Sequence, residues 1–275
     1  MTAAPDTLEA LAETAEQGAR RAGRILAERL EQKRTIEYKG GIDLVTDADK
    51  ASEAELLGYI RARHPAHAIL AEESGVTQGT GYRWMVDPLD GTTNYSHRLP
   101  HFAVSVAVEG PGGLLAGVVF DPMKDEMFRA AKGQGATLNG RPIRASACTT
   151  LSQALLCTGF PADVREKPDA PVGLFSRFLR QAQGVRRLGS AALDLAYVAA
   201  GRFDGFFEFG LKPWDIAAGS LLVMEAGGIA RRIDGEPLDL AVCDIVVSAP
   251  GLAGLLVPDC AAFVRDIGWK PQRRF

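Results

Sequence analysis

Two acids, Asp87 and Asp90, flank a Pro-Leu pair in the run from Trp84 to Asn94, W-M-V-D-P-L-D-G-T-T-N. Carboxylates this close, with the Leu89 carbonyl between them, offer oxygen ligands to two adjacent hard cations, and Mg²⁺ prefers such a shell. Pro88 has a fixed φ and no N–H, so the turn is stiff and both carboxylates have little freedom to lose on binding. The residues that follow favour an anion instead. If Thr92 to Asn94 open a helix, free N–H groups and the hydroxyls of Thr92 and Thr93 face a phosphate, while Gly91 lets the backbone approach closely. Metal ligands therefore run straight into a phosphate cradle. Taken alone, Asp-Pro and Asp-Gly are ordinary turn dipeptides, so the chemistry rests on the whole string.

These residues need elements to hold them. Trp84 to Val86 reads as the end of a short buried strand, and the acids emerge where it stops. His67 to Ala71 is a second short apolar strand that delivers Glu72-Glu73. Neighbouring side chains on a strand point opposite ways, so only one of these glutamates can face the same site as Asp87. Upstream, Asp6 to Arg34 has the period of a long helix, with Leu8, Leu11, Ala15, Ala19, Ala22, Ile25, Leu26 and Leu30 on one stripe and Asp6 with Glu9 as a capping box. In Asp43-Leu-Val-Thr-Asp-Ala-Asp49, Thr46 caps a second helix that runs to about Arg63 and ends at His64-Pro65, and its acids suit the helix dipole.

From Phe102 to Ile143 the pattern turns strand-like, with Phe102, Val104, Val106 and Val108 alternating and Asn139-Gly140 as a hairpin turn. Gly133-x-Gly135 lacks the third glycine of a dinucleotide site and reads as a glycine-rich turn. Arg144 to Thr150 is small and polar, which sets the expected boundary between lobes 1–145 and 146–275. Beyond it, strands at Ala154 to Thr158, Gly184 to Leu188, Phe203 to Glu208 and Gly228 to Arg232 alternate with helices at Val172 to Gln183, Ala191 to Ala200, Trp214 to Ala226 and Gly251 to Ile267. That alternation implies an α/β second lobe after an α+β first one.

Composition narrows the partners. With 275 residues, 47% of them apolar, the chain can bury a substantial core. A net charge of −3 and a pI near 5.9 argue against nucleic acid as the main ligand. No run approaches the ~18 apolar residues of a membrane span, and the first residues lack a secretory pattern, so a cytoplasmic location is expected. Cys148, Cys157, Cys243 and Cys260 have no C-x-x-C spacing and read as small buried thiols. His64, His67, His97 and His101 have no metal-binding spacing and read as structural or surface groups.

The string from Trp84 to Asn94 resembles the central motif of the inositol monophosphatase family of Mg²⁺-dependent, Li⁺-sensitive phosphatases. Asp43 to Asp49 is similar to its D-x-V-T-x-x-D element, Glu72-Glu73 to its acidic pair, and Glu208 to Ser220, E-F-G-L-K-P-W-D-I-A-A-G-S, to its second signature; the likeness runs from about residue 6 to about 267. The resemblance implies a layered αβαβα sugar-phosphatase fold with the site in a cleft between two closely joined lobes, and a homodimer. It implies two to three Mg²⁺ ions held by Glu72, Asp87, the Leu89 carbonyl, Asp90 and Asp215, with Thr92 paired to Asp49 to orient the attacking water, and a water near Asp215 to protonate the leaving group. Lys39 is expected to assist electrostatically. Phosphate and polyol contacts are expected from Gly91, Thr92, Thr93, Arg186, Gly189, Ser190, Ala191, Glu208 and Asp215. The substrate implied is a small polyol or sugar phosphate, inositol 1-phosphate by the look of Glu208 with G-S-A-A. Histidinol phosphate, fructose bisphosphate and 3′-phosphoadenosine nucleotides stand as alternatives, because relatives acting on them keep the same metal residues. A non-catalytic interaction protein of the same fold is the remaining reading.

Overall fold

The apolar stripe of the first helix and the alternation of Phe102 to Ile143 need each other: a one-sided helix must cover a sheet face. A computed structural model describes residues 6–32, 36–40 and 43–273, the side chains of 36–46 excepted, and shows that arrangement repeated. In chain order the elements are α1 (Leu8–Arg29), β1 (Ile36–Gly40), β2 (Asp43–Thr46), α2 (Asp47–Arg63), β3 (Ala68–Ala71), β4 (Gly75–Thr77), β5 (Arg83–Asp90), α3 (Thr92–Ser96), β6 (Ala103–Gly110), β7 (Gly113–Asp121), β8 (Glu126–Ala131), β9 (Ala136–Leu138) and β10 (Arg141–Ile143). After a short 3₁₀ turn, Leu151–Gln153, come β11 (Leu155–Thr158), α4 (Asp169–Leu179), β12 (Gly184–Arg186), α5 (Ala191–Ala199), β13 (Gly205–Glu208), α6 (Pro213–Glu225), β14 (Ile229–Arg232), β15 (Ile245–Ser248) and α7 (Ala253–Asp266).

Eight strands form one sheet in the order β10-β9-β8-β7-β6-β5-β3-β4, antiparallel except for the β3–β5 pair. A second sheet has the order β12-β11-β13-β15-β14. Helices α1 and α2 cover the outer face of the larger sheet, α5 and α6 lie between the sheets, and α4 and α7 close the outer face of the smaller one. The expected five layers are therefore present. The two faces of β6 show how residue size sets spacing. Val104, Val106 and Val108 pack toward α1 and α2, whereas Ala103, Ser105 and Ala107 face α6, and a Cβ placed on Gly117 of β7 would fall 2.9 Å from Ala218 Cα. Small residues let α6 sit almost backbone to backbone on the sheet, and Ser105 Oγ donates to Trp214 O at 2.9 Å, which fixes the height of the helix start. The core on this side joins Met85, Val119 and Phe128 to Ala192, Leu195, Ile216 and Leu221, on both sides of residue 145.

Several expectations change in detail. Thr7, not Asp6, caps α1, accepting from Ala10 N–H. Asp6 instead joins His64 and His67. β15 is absent from the sequence reading, because Ile-Val-Val buried on both faces shows neither a period of two nor one of 3.6. The stretch read as leading to a cap at Thr46 forms the β1–β2 hairpin; the Lys39, Asp43 and Thr46 side chains lie outside the described ones. Gly133-x-Gly135 does serve as a turn, and its two N–H groups bind the Glu225 carboxylate at the end of α6, each at 2.8 Å. No helix is long and apolar enough to cross a membrane among the described residues. Of the cysteines, Cys148 is only half-buried, and all four are free.

Candidate active site

β5 does not stop at Val86 as its sequence suggested. It runs on to Asp90 through a bulge: Asp87 faces Ser105 and Asp90 faces Ala103, three steps on one strand against two on its neighbour. Bulges re-aim side chains. Here the extra residue lies in Pro88-Leu89, held by Leu89 N–H donating to Asp87 Oδ1 at 2.9 Å and by Ser52 Oγ donating to Pro88 O at 2.9 Å. On the parallel neighbour β3, Glu72 N–H donates to Val86 O at 3.1 Å, which sets Glu72 beside Asp87. Glu73 points the other way, toward α2, where its N–H meets Glu53. The alternation argument thus separates the two glutamates.

Gly91 starts α3 in a left-handed conformation (φ 98°), and a Cβ there would lie 3.2 Å from both Gly189 O and His101 O, so glycine is required for closure as well as for φ. Thr92 Oγ1 lies 3.1 Å from Leu89 O and 3.5 Å from Asp49 Oδ1. A hydroxyl has one proton to give, so the shorter bond to Leu89 is the stronger claim and the Asp49 pairing is long. From the second half come the remaining walls. Ser190 caps α5 and donates to Asp90 Oδ2, which also accepts from Ala192 N–H at 2.8 Å. Pro213 opens α6, and Asp215, two residues on, accepts from Lys212 N–H at 2.8 Å and lines the cleft. Asn94 Nδ2 donates to His101 O and Leu188 O, at 2.8 and 2.9 Å, tying the start of α3 to the segment before α5.

These residues line one cleft of about 200 Å³. It gathers Glu72, Asp87, Leu89, Asp90, Gly91, Thr92, Thr93, Gly189, Ser190, Ala191, Glu208 and Asp215 of the expected set, with Asp49 buried behind Thr92. Arg186 is not among them. Its Nη1 turns back to Val185 O, and Arg187 lines the cleft instead. β12 ends at Arg186, so the alternation fixing which arginine faces inward depends on where the strand stops, which spacing alone does not give. Two further residues were missed. A Cβ on Gly159 would fall 2.2 Å from a Glu208 carboxylate oxygen, so only glycine leaves that acid open to the cleft. Asp194, 1% exposed, also lines the cleft; its spacing of four from Ser190 on α5 was the available signal.

Six carboxylates against one arginine among the described lining residues make the cleft's electrostatics one-sided. Burial pushes Asp87 well above the usual carboxylate range, and Glu72, Asp90 and Asp215 push it further. Burial and then Asp90 raise Asp215. Asp90 is raised by burial and held back by the bonds from Ser190, Ala192 and Ala191. Glu208 is pushed to about 8 by burial, opposed by Arg187. Acids that raise one another in this way fit divalent cations with an oxygen shell, and sulfur and imidazole are absent from the described lining.

A second grouping differs in kind. Asp6, His64 and His67 bring potential ligand atoms within 4.8 Å of one another at the opposite end of β3 and β5. Trp84 Nε1–H, a donor only, points at His67 Nδ1 (3.1 Å), so the ring's proton is on Nε2, which faces Asp6 Oδ1 at 3.1 Å. A nitrogen that carries that proton is not free for a metal. The group is a hydrogen-bonded latch from the start of α1 to the sheet.

Against known proteins, the model of the inositol monophosphatase family matches residues 7–263. The Nus factor SuhB of Escherichia coli (strain K12) is 48% identical over 236 residues, 84% of this chain and 88% of that protein. The inositol monophosphatase of Anabaena (Nostoc) sp. PCC 7120 superposes with a TM-score of 0.83 at 42% identity, covering 96% of this chain and 98% of that one. The extragenic suppressor protein SuhB of Bartonella henselae gives 0.85 at 36% identity, over 92% and 97%.

Proposed function

The chain belongs to the inositol monophosphatase family, a family of phosphatases, and from that premise we propose that it is a Mg²⁺-dependent phosphomonoesterase acting on inositol 1-phosphate. The observation that carries the proposal is the convergence of six carboxylates and one arginine in a cleft of about 200 Å³ beside the Gly91-Thr92-Thr93 helix start. Glu72, Asp87, Asp90, Asp215 and the Leu89 carbonyl would hold the ions, with the 1–145 lobe supplying most ligands and the 146–275 lobe Asp215 and the polyol contacts. Bound Mg²⁺ supplies charge neutralisation and a more acidic water at that position. The protein's own share is positioning. Thr92, once Leu89 O is engaged elsewhere, is free to turn its proton to Asp49 and to accept from the attacking water. N–H groups at the start of α3 receive the phosphate oxygens.

Glu208, kept open by Gly159, offers an acceptor for ring hydroxyls. A homodimer in the cytoplasm completes the proposal. The relative named a Nus factor supports a second reading, an interaction protein with an idle site. Phosphate release separates the two. p-Nitrophenyl phosphate should be hydrolysed with Mg²⁺, inhibited by Li⁺ and spared in excess EDTA; no turnover with Mg²⁺ favours the interaction protein, and full turnover in EDTA removes the metal. Ranking kcat/KM for inositol 1-phosphate, histidinol phosphate, fructose 1,6-bisphosphate and a 3′-phosphoadenosine nucleotide tests the substrate, and a nucleotide in first place overturns the choice.

A further inference from the structure

Asp194 is the acid in the cleft that neither the metal set nor the family's polyol contacts use. It sits in the first turn of α5, whose N-cap is Ser190, itself bonded to Asp90. The residue is 1% exposed, yet it lines the cleft, and its Oδ1 is buried with no hydrogen-bond partner. A buried carboxyl oxygen without a partner is expensive to keep, and Asp194 as a residue borders the cleft, so whatever fills the cleft is the nearest source of that partner. Its surroundings define the partner. Glu208, Asp90 and Arg187 are its charged neighbours. An anion would meet three acids there, against which Arg187 sets a single positive charge. A neutral group with both a proton and lone pairs, a hydroxyl, satisfies each of these surroundings.

We propose that Asp194 is a specificity-determining residue that hydrogen-bonds a second hydroxyl of the polyol ring, beside the one met by Glu208, so that the cleft reads a pair of ring hydroxyls. The inference rests on the phosphomonoesterase reading above. An apolar or absent hydroxyl would leave Oδ1 unpaired in the complex too, and the penalty would fall on substrates that lack it.

The test compares Asp194→Ala and Asp194→Asn on inositol 1-phosphate and on p-nitrophenyl phosphate, which has no ring hydroxyls. Asp194→Ala should lose about tenfold or more in kcat/KM on inositol 1-phosphate and stay within about threefold on the aryl phosphate, and Asp194→Asn, which keeps a donor and an acceptor, should recover part of the loss. Equal losses on both substrates, or no loss on the polyol, overturn the assignment. Wild-type protein supplies a readout that no folding defect affects: across monodeoxy-inositol 1-phosphates, two different deletions should each cost about tenfold, and in Glu208→Gln one of those sensitivities should vanish while the other remains. A single sensitive hydroxyl, or loss of both in Glu208→Gln, also overturns it. Absence of wild-type turnover on the aryl phosphate would be a failure of the phosphatase reading itself and is distinguished by that substrate alone.

Discussion

Replacing Asn94 tests whether the two halves of the cleft are held in register by one amide. The Asn94 Nδ2 donates to Leu188 O and His101 O, at 2.9 and 2.8 Å, and the side chain is largely buried. Asn94→Ala removes both bonds and leaves two part-buried carbonyls with a lost donor. At about 1–2 kcal/mol for each carbonyl, the cost is about 2–4 kcal/mol. In a chain of this size, where unfolding carries an entropy of about 0.6 kcal/mol/K, that corresponds to a fall in melting temperature of about 3–7 °C. Asn94→Asp is the sharper variant. It has the same size and fills the same space, but aims an acceptor at two acceptors. It should therefore melt below Asn94→Ala, although the alanine variant leaves the larger void. Activity should fall on both inositol 1-phosphate and p-nitrophenyl phosphate, by roughly 10- to 100-fold, because the Leu188 to Ala191 segment shifts against Asp90 and Thr92. Circular-dichroism melts and phosphate release measure the two effects. An aspartate variant more stable than the alanine variant would show that Asn94 acts by filling space, and unchanged melting in both would remove the tie altogether.

Thr92→Ala should lower kcat by about 10²- to 10⁴-fold while the Mg²⁺ concentration for half activity stays nearly constant, and a loss of less than about threefold takes the hydroxyl out of the reaction. Arg187→Ala should lower kcat/KM on inositol 1-phosphate by about tenfold, whereas Arg186→Ala should stay within about threefold, since only Arg187 lines the cleft; the reverse order refutes the placement. Away from the site, Arg202 holds the Glu126 carboxyl below its ordinary 4.5. Folding therefore gains from this pair above pH 4.5 and loses that gain as the pH falls through the lower folded-state value. The gap in melting temperature between wild type and Arg202→Leu should shrink on acidification below that point, and a gap that is constant with pH contradicts it.

Local strings were readable where the chemistry is local. Asp87 to Thr92 is one uninterrupted segment, so its acids, stiff turn and helix start could be inferred together, and only the bulge that carries β5 through to Asp90 was hidden. The long helices were legible because α1 shows a clean stripe and Pro213 marks the start of α6. What failed depended on distant partners. Arg187 and Arg186 differ by one step at a strand end, and Gly159 matters because of Glu208, 49 positions further along the chain. Asp6 had a plausible local role as a cap, but two buried histidines near the start of β3 outcompete it. β15 is covered on both faces by residues from elsewhere in the chain, so its own sequence bears no trace of an inside and an outside.

The seating of α6 on the larger sheet has a consequence for how the chain is made. The sheet face formed by Met85, Ala103, Ala107, Val119 and Phe128 is covered by residues between Ala191 and Ala226, which leave the ribosome later. At about 5–20 residues per second, some 4–16 seconds separate residue 145 from residue 226, and throughout that interval a largely complete apolar sheet face stays wet. Asp215 arrives within the same delayed stretch, so the acid set is completed only while the sheet is being covered. A nascent chain stalled between those points is the species most prone to capture by chaperones or by another copy of itself, and a synthetic fragment beginning near α5 would be expected to rescue it in trans.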